Sequence, residues 1–63
     1  MPTIHITMFE GRTVEEKRKL VTALTDAVVT SLGAKRDSVR VYMHDIKRHD
    51  LAQGGILISD RKE

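Results

Sequence analysis

Residues 2–33, which read PTIHITMFEGRTVEEKRKLVTALTDAVVTSLG, decide the fold because the spacing of their apolar side chains changes once along the stretch. From Pro2 to Met8 every second residue is apolar, a pattern typical of a half-buried β-strand. From Val14 to Leu32 the apolar residues recur at helical spacing and predict an amphipathic helix. The expected apolar stripe of this helix comprises Leu20, Val21, Leu24, Ala27, Val28 and Leu32.

Both ends of this helix carry sequence signals. Thr13 is the predicted N-cap, and together with Glu16 it has the spacing of a capping box. Gly33 occupies the position at which a left-handed residue ends a helix. The basic run at positions 17–19 is expected to lie on a solvated face of the helix. Before the helix, Glu10-Gly11-Arg12 predicts a turn.

A second alternating segment, from Val39 to Asp45, predicts a second strand. A strand, a helix and a strand of this size form a βαβ unit, so the two strands should be parallel with a right-handed crossover. Gly54-Gly55 followed by Ile56-Leu57-Ile58 predicts a turn and a short third strand or hairpin. The expected fold class is α/β, with a β-α-β protomer and a short C-terminal hairpin forming one domain over residues 1–63.

Length and composition favour an assembly of several copies. The chain has 63 residues, no cysteine and a formal net charge of +2. A domain this short buries only about 60% of the surface of its unfolded chain, and disulfides cannot supplement the core. One helix also covers only one face of a parallel sheet. Oligomerisation is therefore expected, and the lack of cysteine predicts a reducing, cytoplasmic compartment.

The same composition argues against nucleic acid, membrane and metal as partners. The basic residues are dispersed, and one Tyr, one Phe and no Trp provide no stacking platform for a single strand. No apolar run approaches the roughly 18 residues of a membrane span. His5 and His44 lie on the polar faces of adjacent predicted strands, but they do not have metal-ligand spacing. No metal is predicted.

Pro2 is the first candidate for chemistry because it follows the initiator Met1. Removal of Met1 would expose a secondary amine, and an apolar pocket or nearby arginines would lower its pKa. A base tuned to the working pH is an effective general base. The alternative interpretation is that Pro2 only begins an edge strand, where its missing N–H is harmless.

Arg12 and Arg40 are the second candidate. A guanidinium group matches a carboxylate in geometry and charge, and two of them match a dicarboxylate. Arg12 precedes the helix, and Arg40 lies on the strand face opposite Val39 and Val41. The alternative is that both are ordinary surface arginines that pair with acidic side chains.

Four features occur together in this chain: Pro2 after Met1, Glu10-Gly11-Arg12 before a capped helix, Ser38-Val39-Arg40-Val41 at the second strand, and Gly54-Gly55 near the end. In this combination the chain resembles the 4-oxalocrotonate tautomerase family over essentially its whole length. The resemblance implies protomers that form dimers with a four-stranded sheet, and three dimers that form a hexamer.

The resemblance also implies an activity in the catabolism of aromatic hydrocarbons. Pro2 would be the base that moves a proton in an unsaturated 2-oxo acid or its dienol, as in the conversion of 2-hydroxymuconate to 2-oxo-3-hexenedioate. Arg12 would bind the distal carboxylate. Arg40, from a neighbouring subunit, would bind the end with the 2-oxo group and stabilise the dienolate, where fixed cations contribute most to rate. No metal or organic cofactor is implied.

Leu51 is a departure from the family pattern. The family prototype has a phenylalanine in this loop, before the double glycine, where it keeps the proline pocket apolar. Leu51 is expected to contact substrate and to keep the apolar character without the ring, and Phe9 is a candidate to fill the space. Met1 matters as well, because a retained Met1 would make the Pro2 nitrogen an amide with no basic lone pair.

Two other functions remain open from the sequence. One is a related dehalogenase or decarboxylase acting on a short acid, which needs water activation or a cationic proline. Those reactions often use an additional acidic residue, and Asp50 is the acid nearest the predicted pocket loop. The other is a non-catalytic oligomeric binding module with the same fold, an interpretation that Leu51 and a retained Met1 would favour.

Overall fold

The computed structural model describes residues 1–61. The elements, in chain order, are strand β1 (Thr3–Phe9), helix α1 (Val14–Leu32), strand β2 (Arg40–Ile46), and the short strands β3 (Ala52–Gln53) and β4 (Ile56–Leu57). Single 3₁₀ turns cover Arg36–Ser38, Arg48–Asp50 and Ile58–Asp60. Within the described range, no helix has both the length and the apolar character needed to cross a bilayer.

Strands β1 and β2 form a parallel pair, with Thr3 opposite Arg40 at the start. Helix α1 connects them, so the predicted parallel βαβ unit is confirmed. Strands β3 and β4 pair in antiparallel fashion, with Ala52 opposite Leu57, and confirm the predicted C-terminal hairpin. The fold is therefore of the α/β class, as the sequence pattern indicates.

Both predicted ends of α1 are confirmed. The Glu16 N–H donates to the Thr13 hydroxyl at 3.1 Å, and the Thr13 N–H donates to the Glu16 carboxylate at 2.9 Å. This reciprocal capping box satisfies two donors at the start of the helix. At the other end, Gly33 has φ 67° and donates its N–H to the Val29 carbonyl. The helix therefore begins and ends where local chemistry requires.

One face of the helix lies against the sheet, but the predicted stripe is partly wrong. Ala27 and Leu32 are exposed, whereas Thr25 and Val29 are half-buried. Ala27 lies away from the centre of the half-buried side, whereas Leu32 lies on that side but is the last residue of the helix. The half-buried residues of the helix are Lys17, Leu20, Val21, Leu24, Thr25, Val28 and Val29.

A single protomer has no closed core. None of the described residues is fully buried in the isolated chain. The radius of gyration is 15.0 Å, compared with about 11 Å for a compact chain of this length. The hairpin contributes to this open shape, since its apolar side chains remain substantially exposed: Leu51, Ile56 and Leu57. The protomer thus presents apolar surface that only another molecule can cover.

Candidate active site

Pro2 and Arg40 lie together at the start of the parallel strands. The Arg40 N–H donates to the Pro2 carbonyl at 3.0 Å, immediately before the ladder between β1 and β2 begins. Pro2 is half-buried and Arg40 is exposed. Side chains alternate along a strand, so Arg40 belongs to the face that α1 does not cover. Pro2 and Arg40 are called here the amino-end half-site.

Arg12 and Leu51 lie at the opposite end of the strands. Arg12 follows the carboxyl end of β1 and lines a cleft of about 220 Å³. Leu51 comes after β2 and lines an apolar groove of about 290 Å³. Met8 lines both spaces, so the cleft and the groove are neighbours. Arg12 and Leu51 are called here the carboxyl-end half-site.

The two half-sites of one chain are too far apart to act on one small molecule. From Pro2 to Phe9 the extended strand advances by about 23 Å, at roughly 3.3 Å per residue. A six-carbon diacid is much shorter than this distance. If all four predicted site residues serve one substrate, more than one chain must contribute them, with Pro2 and Arg12 coming from different chains.

Arg12 is held loosely by its neighbour on the helix. Its Nη1 atom lies 3.4 Å from Oε2 of Glu16, and both side chains are exposed. This separation exceeds the 2.7–2.9 Å of a strong charge-assisted hydrogen bond. The other Glu16 oxygen accepts from the Thr13 N–H, and this backbone hydrogen bond lowers the pKa of Glu16. Glu16 therefore stays ionised in the cap, and its contact with the exposed Arg12 side chain is weak.

Lys17 corrects the expectation that positions 17–19 are all solvated. Its Nζ lies 2.7 Å from Oδ2 of Asp45, which joins α1 to β2, and its side chain is only 26% exposed. Lys17 also lines the cleft beside Arg12. The sequence does indicate that Lys17 faces the sheet, because it precedes Leu20 and Val21 by three and four residues and so shares their side of the helix.

Phe9 and Leu51 line the same apolar groove. The structure therefore places the Phe9 ring in the groove that Leu51 lines. The Arg48 guanidinium lies over the Phe9 ring, 5.2 Å from its centroid, at a distance typical of a cation–π contact. Asp50 accepts the Lys47 N–H at 3.0 Å and so holds the 3₁₀ turn that precedes Leu51.

His5 and His44 are neighbours, as their strand positions predict. His5 Nδ1 lies 3.2 Å from His44 Nε2, and the His5 ring stacks on Tyr42 with centroids 4.9 Å apart. All three side chains belong to the uncovered face of the sheet. Across residues 1–61 there is no group of three or more His, Cys, Asp or Glu side chains arranged to hold a metal ion.

Comparison with known proteins identifies the family. A family model described as "Tautomerase enzyme" matches residues 2–61. A probable tautomerase of Ralstonia nicotianae is 43% identical over 63 residues, covering 100% of this chain and 90% of the relative. The 2-hydroxymuconate tautomerase of Bacillus subtilis is 37% identical over 60 residues, covering 95% and 97% of the two chains.

Solved structures give the same result for the fold. YwhB, a homologue of 4-oxalocrotonate tautomerase, superposes with a TM-score of 0.91 and 34% identity, covering 97% of this chain and 100% of that one. A heterohexameric 4-oxalocrotonate tautomerase from Chloroflexus aurantiacus gives a TM-score of 0.88 and 29% identity, with 98% and 100% coverage. Fold and sequence together define a small α/β isomerase. The chain belongs to the tautomerase family, which confirms the resemblance drawn from the sequence.

Proposed function

We propose that this chain is a cofactor-free tautomerase that moves a proton in an unsaturated 2-oxo acid or its dienol, of the 2-hydroxymuconate to 2-oxo-3-hexenedioate type. The observation that carries the proposal is a half-buried proline at position 2 in a chain of the tautomerase family. The substrate class is supported by the similarity to the 2-hydroxymuconate tautomerase of Bacillus subtilis.

In the proposed mechanism, removal of Met1 leaves Pro2 with a secondary amine that serves as general base. The amine takes the proton from the hydroxyl of the dienol and returns it to a carbon of the conjugated chain, so that no proton is gained or lost overall. Arg40 stabilises the negative charge on the dienolate oxygen and binds the adjacent carboxylate. Arg12 binds the distal carboxylate, and Leu51 with Phe9 excludes water beside it.

The proposed enzyme is a homo-oligomer, and by analogy with its family a trimer of dimers. Three observations support an assembly: the absence of fully buried residues in the described chain, the exposed apolar hairpin, and half-sites at opposite ends of β1. An antiparallel arrangement of two copies would bring the start of one β1 to the end of the other. Arg40, exposed on the uncovered face, would serve a Pro2 in a neighbouring chain.

The proposal includes a cellular setting. The whole chain, without Met1, would act as one domain in the cytoplasm, in a route that degrades aromatic hydrocarbons. Dienols of dicarboxylic acids arise when an aromatic ring is opened, and they would be supplied by the preceding enzymes of such a route. The absence of cysteine fits a reducing compartment.

The test is an ultraviolet assay with 2-hydroxymuconate on protein whose intact mass shows that Met1 is absent. We expect turnover in the unmodified chain and none in Pro2→Ala, which should keep its oligomeric mass. A 3-haloacrylate assayed in parallel would show halide release if the chain were a dehalogenase. A stable oligomer that lacks Met1 and turns over neither compound would support a binding module instead.

A further inference from the structure

A second cation lies in the cleft that contains Arg12. The cleft combines apolar and charged side chains, a composition that suits a carboxylate at the end of a short hydrocarbon chain. Its lining residues are Met8, Arg12, Glu16, Lys17 and Leu20. These charged groups differ in whether they already make hydrogen bonds within the fold or are able to bind a ligand.

Glu16 is committed to the helix cap. Its Oε1 accepts from the backbone N–H of Thr13 at 2.9 Å and from the Thr13 hydroxyl at 3.4 Å. Only Oε2 contacts Arg12, at 3.4 Å. The Glu16 carboxylate therefore makes its closest hydrogen bond at the helix cap. Arg12 and Lys17 are the two positively charged side chains that line the cleft.

Lys17 is ordered before any ligand binds. Its Nζ lies 2.7 Å from Asp45, and at 26% its side chain is the least exposed cation among the ion pairs of residues 1–61. The other cations of such pairs are between 54% and 70% exposed. An ammonium has three donors, so the bond to Asp45 leaves capacity for a carboxylate. Because the side chain is already fixed, binding a ligand costs it little rotamer entropy.

We propose that Lys17 is a specificity-determining residue that binds the distal carboxylate of the substrate together with Arg12. The cleft would then select dianionic substrates over acids that lack the second carboxylate. This inference rests on the proposed function, which assigns the distal carboxylate to Arg12, and it adds the residue that makes the cleft selective. Lys17 contacts no reacting atom in this scheme, so its effect falls on binding.

The experiment compares Lys17→Met with the unmodified enzyme on two dienols, 2-hydroxymuconate and 2-hydroxy-2,4-pentadienoate, which lacks the distal carboxylate. We expect the KM for the dicarboxylate to rise about tenfold, equivalent to about 1.4 kcal/mol. The kcat for both substrates and the KM for the monocarboxylate should change less than about twofold. Lys17→Arg should restore most of the affinity, since it keeps a cation at this position.

Arg18→Met is the matched control. Arg18 lies one residue further along the helix and pairs with Glu15 at 3.1 Å on the exposed side, where its side chain is 70% exposed. Its removal should leave both KM values unchanged. Equal changes for the two substrates in Lys17→Met, or no change for either, would overturn the inference while the proposed tautomerase activity stands.

Calorimetry with two saturated acids separates the two proposals. Adipate, a dicarboxylate, and hexanoate, a monocarboxylate, need no turnover to bind. If the unmodified protein fails to isomerise 2-hydroxymuconate but binds adipate in a Lys17-dependent manner, the reaction assignment fails and the binding role of Lys17 stands. If Lys17→Met does not keep its oligomeric mass, Lys17→Gln removes the cation instead, and Lys17→Arg remains the variant that keeps it.

Discussion

The placement of Pro2 and Arg12 at opposite ends of β1 predicts that two inactive variants will complement each other. Pro2→Ala removes the proposed base, and Arg12→Ala removes the proposed carboxylate ligand. In one chain these residues are separated by about 23 Å of strand. A working site must therefore take Pro2 from one chain and Arg12 from another, and a mixed assembly will contain sites that have both.

The expected recovery of activity follows from the fraction of chains that carry each intact residue. In a random one-to-one mixture, half of the chains carry an intact Pro2 and half carry an intact Arg12. A site that draws these residues independently has both with a probability of about one quarter. The mixture should therefore recover about one quarter of the unmodified activity. Arg12→Ala alone should lose about 10- to 100-fold in kcat/KM, since a hydrogen bond to a charged group contributes about 1.5–3 kcal/mol.

The assay unfolds the two variants together, refolds them, and measures 2-hydroxymuconate turnover at a substrate concentration below KM. Native mass spectrometry must show that mixed oligomers have formed. As a control, unmodified chains are mixed with chains that carry both substitutions: about one quarter of the sites should be active if the residues come from different chains, and about one half if they come from one. Mixed oligomers with no more activity than the average of the two parents would refute the reasoning.

Three further predictions concern the helix that carries the Arg12 cleft. Thr13→Ala removes the acceptor of the Glu16 N–H and should lower the free energy of unfolding by about 1 kcal/mol per chain in urea titrations, whereas Thr22→Ala, within the helix, should not. The pKa of Glu16 is lowered from its ordinary value of 4.5 chiefly by the Thr13 backbone hydrogen bond. The ionised form of Glu16 therefore stabilises the fold at pH values above 4.5, and this contribution is lost as the pH falls through the lower pKa of the folded state. The free energy of unfolding of Glu16→Gln should for this reason fall less between about pH 5 and pH 3 than that of the unmodified chain. Gly33→Ala forces a side chain into φ 67° and should cost about 1 kcal/mol by the same titration, with Ser31→Ala as the neutral comparison. An unchanged midpoint in Thr13→Ala or Gly33→Ala, or parallel pH curves for Glu16→Gln, would contradict the respective argument.

Much of the fold could be predicted because its signals are local. The alternation through β1, the capping box at Thr13 and the left-handed Gly33 each depend on residues within one turn or strand, and the structure has them all. The parallel pairing also follows, because a helix between two strands leaves one favourable connection. The exposure of Ala27 and Leu32 could not be predicted from spacing alone, since burial depends on which elements pack against each part of the helix.

The roles of the candidate site residues stay predictions, but part of their layout could be predicted. The sequence places Pro2 at the start of the first strand and Arg12 in the turn after it, so their separation follows from the strand. The sequence does not reveal that Met8 lines both the cleft with Arg12 and the groove with Leu51. The contact of Lys17 with β2 was missed because a charged residue in a basic run usually indicates solvent. Its spacing to Leu20 and Val21 places it on the half-buried face of the helix, but its partner Asp45, 28 residues later, is known only from the structure.

The open protomer and the separation of the proposed site residues both follow from the same small β-α-β architecture. A protomer with two long strands and one helix has no interior in which to hold a substrate, and none of its described residues is fully buried. The cleft with Arg12 and the groove with Leu51 both lie near the carboxyl end of β1, whereas Pro2 lies before its start. In the proposed antiparallel association, the contact that covers exposed apolar side chains would also bring Pro2 of one chain to Arg12 of the other. Loss of the contact would then remove stability and catalysis together, because each Pro2 would lose its Arg12 whenever the apolar hairpin lost its cover.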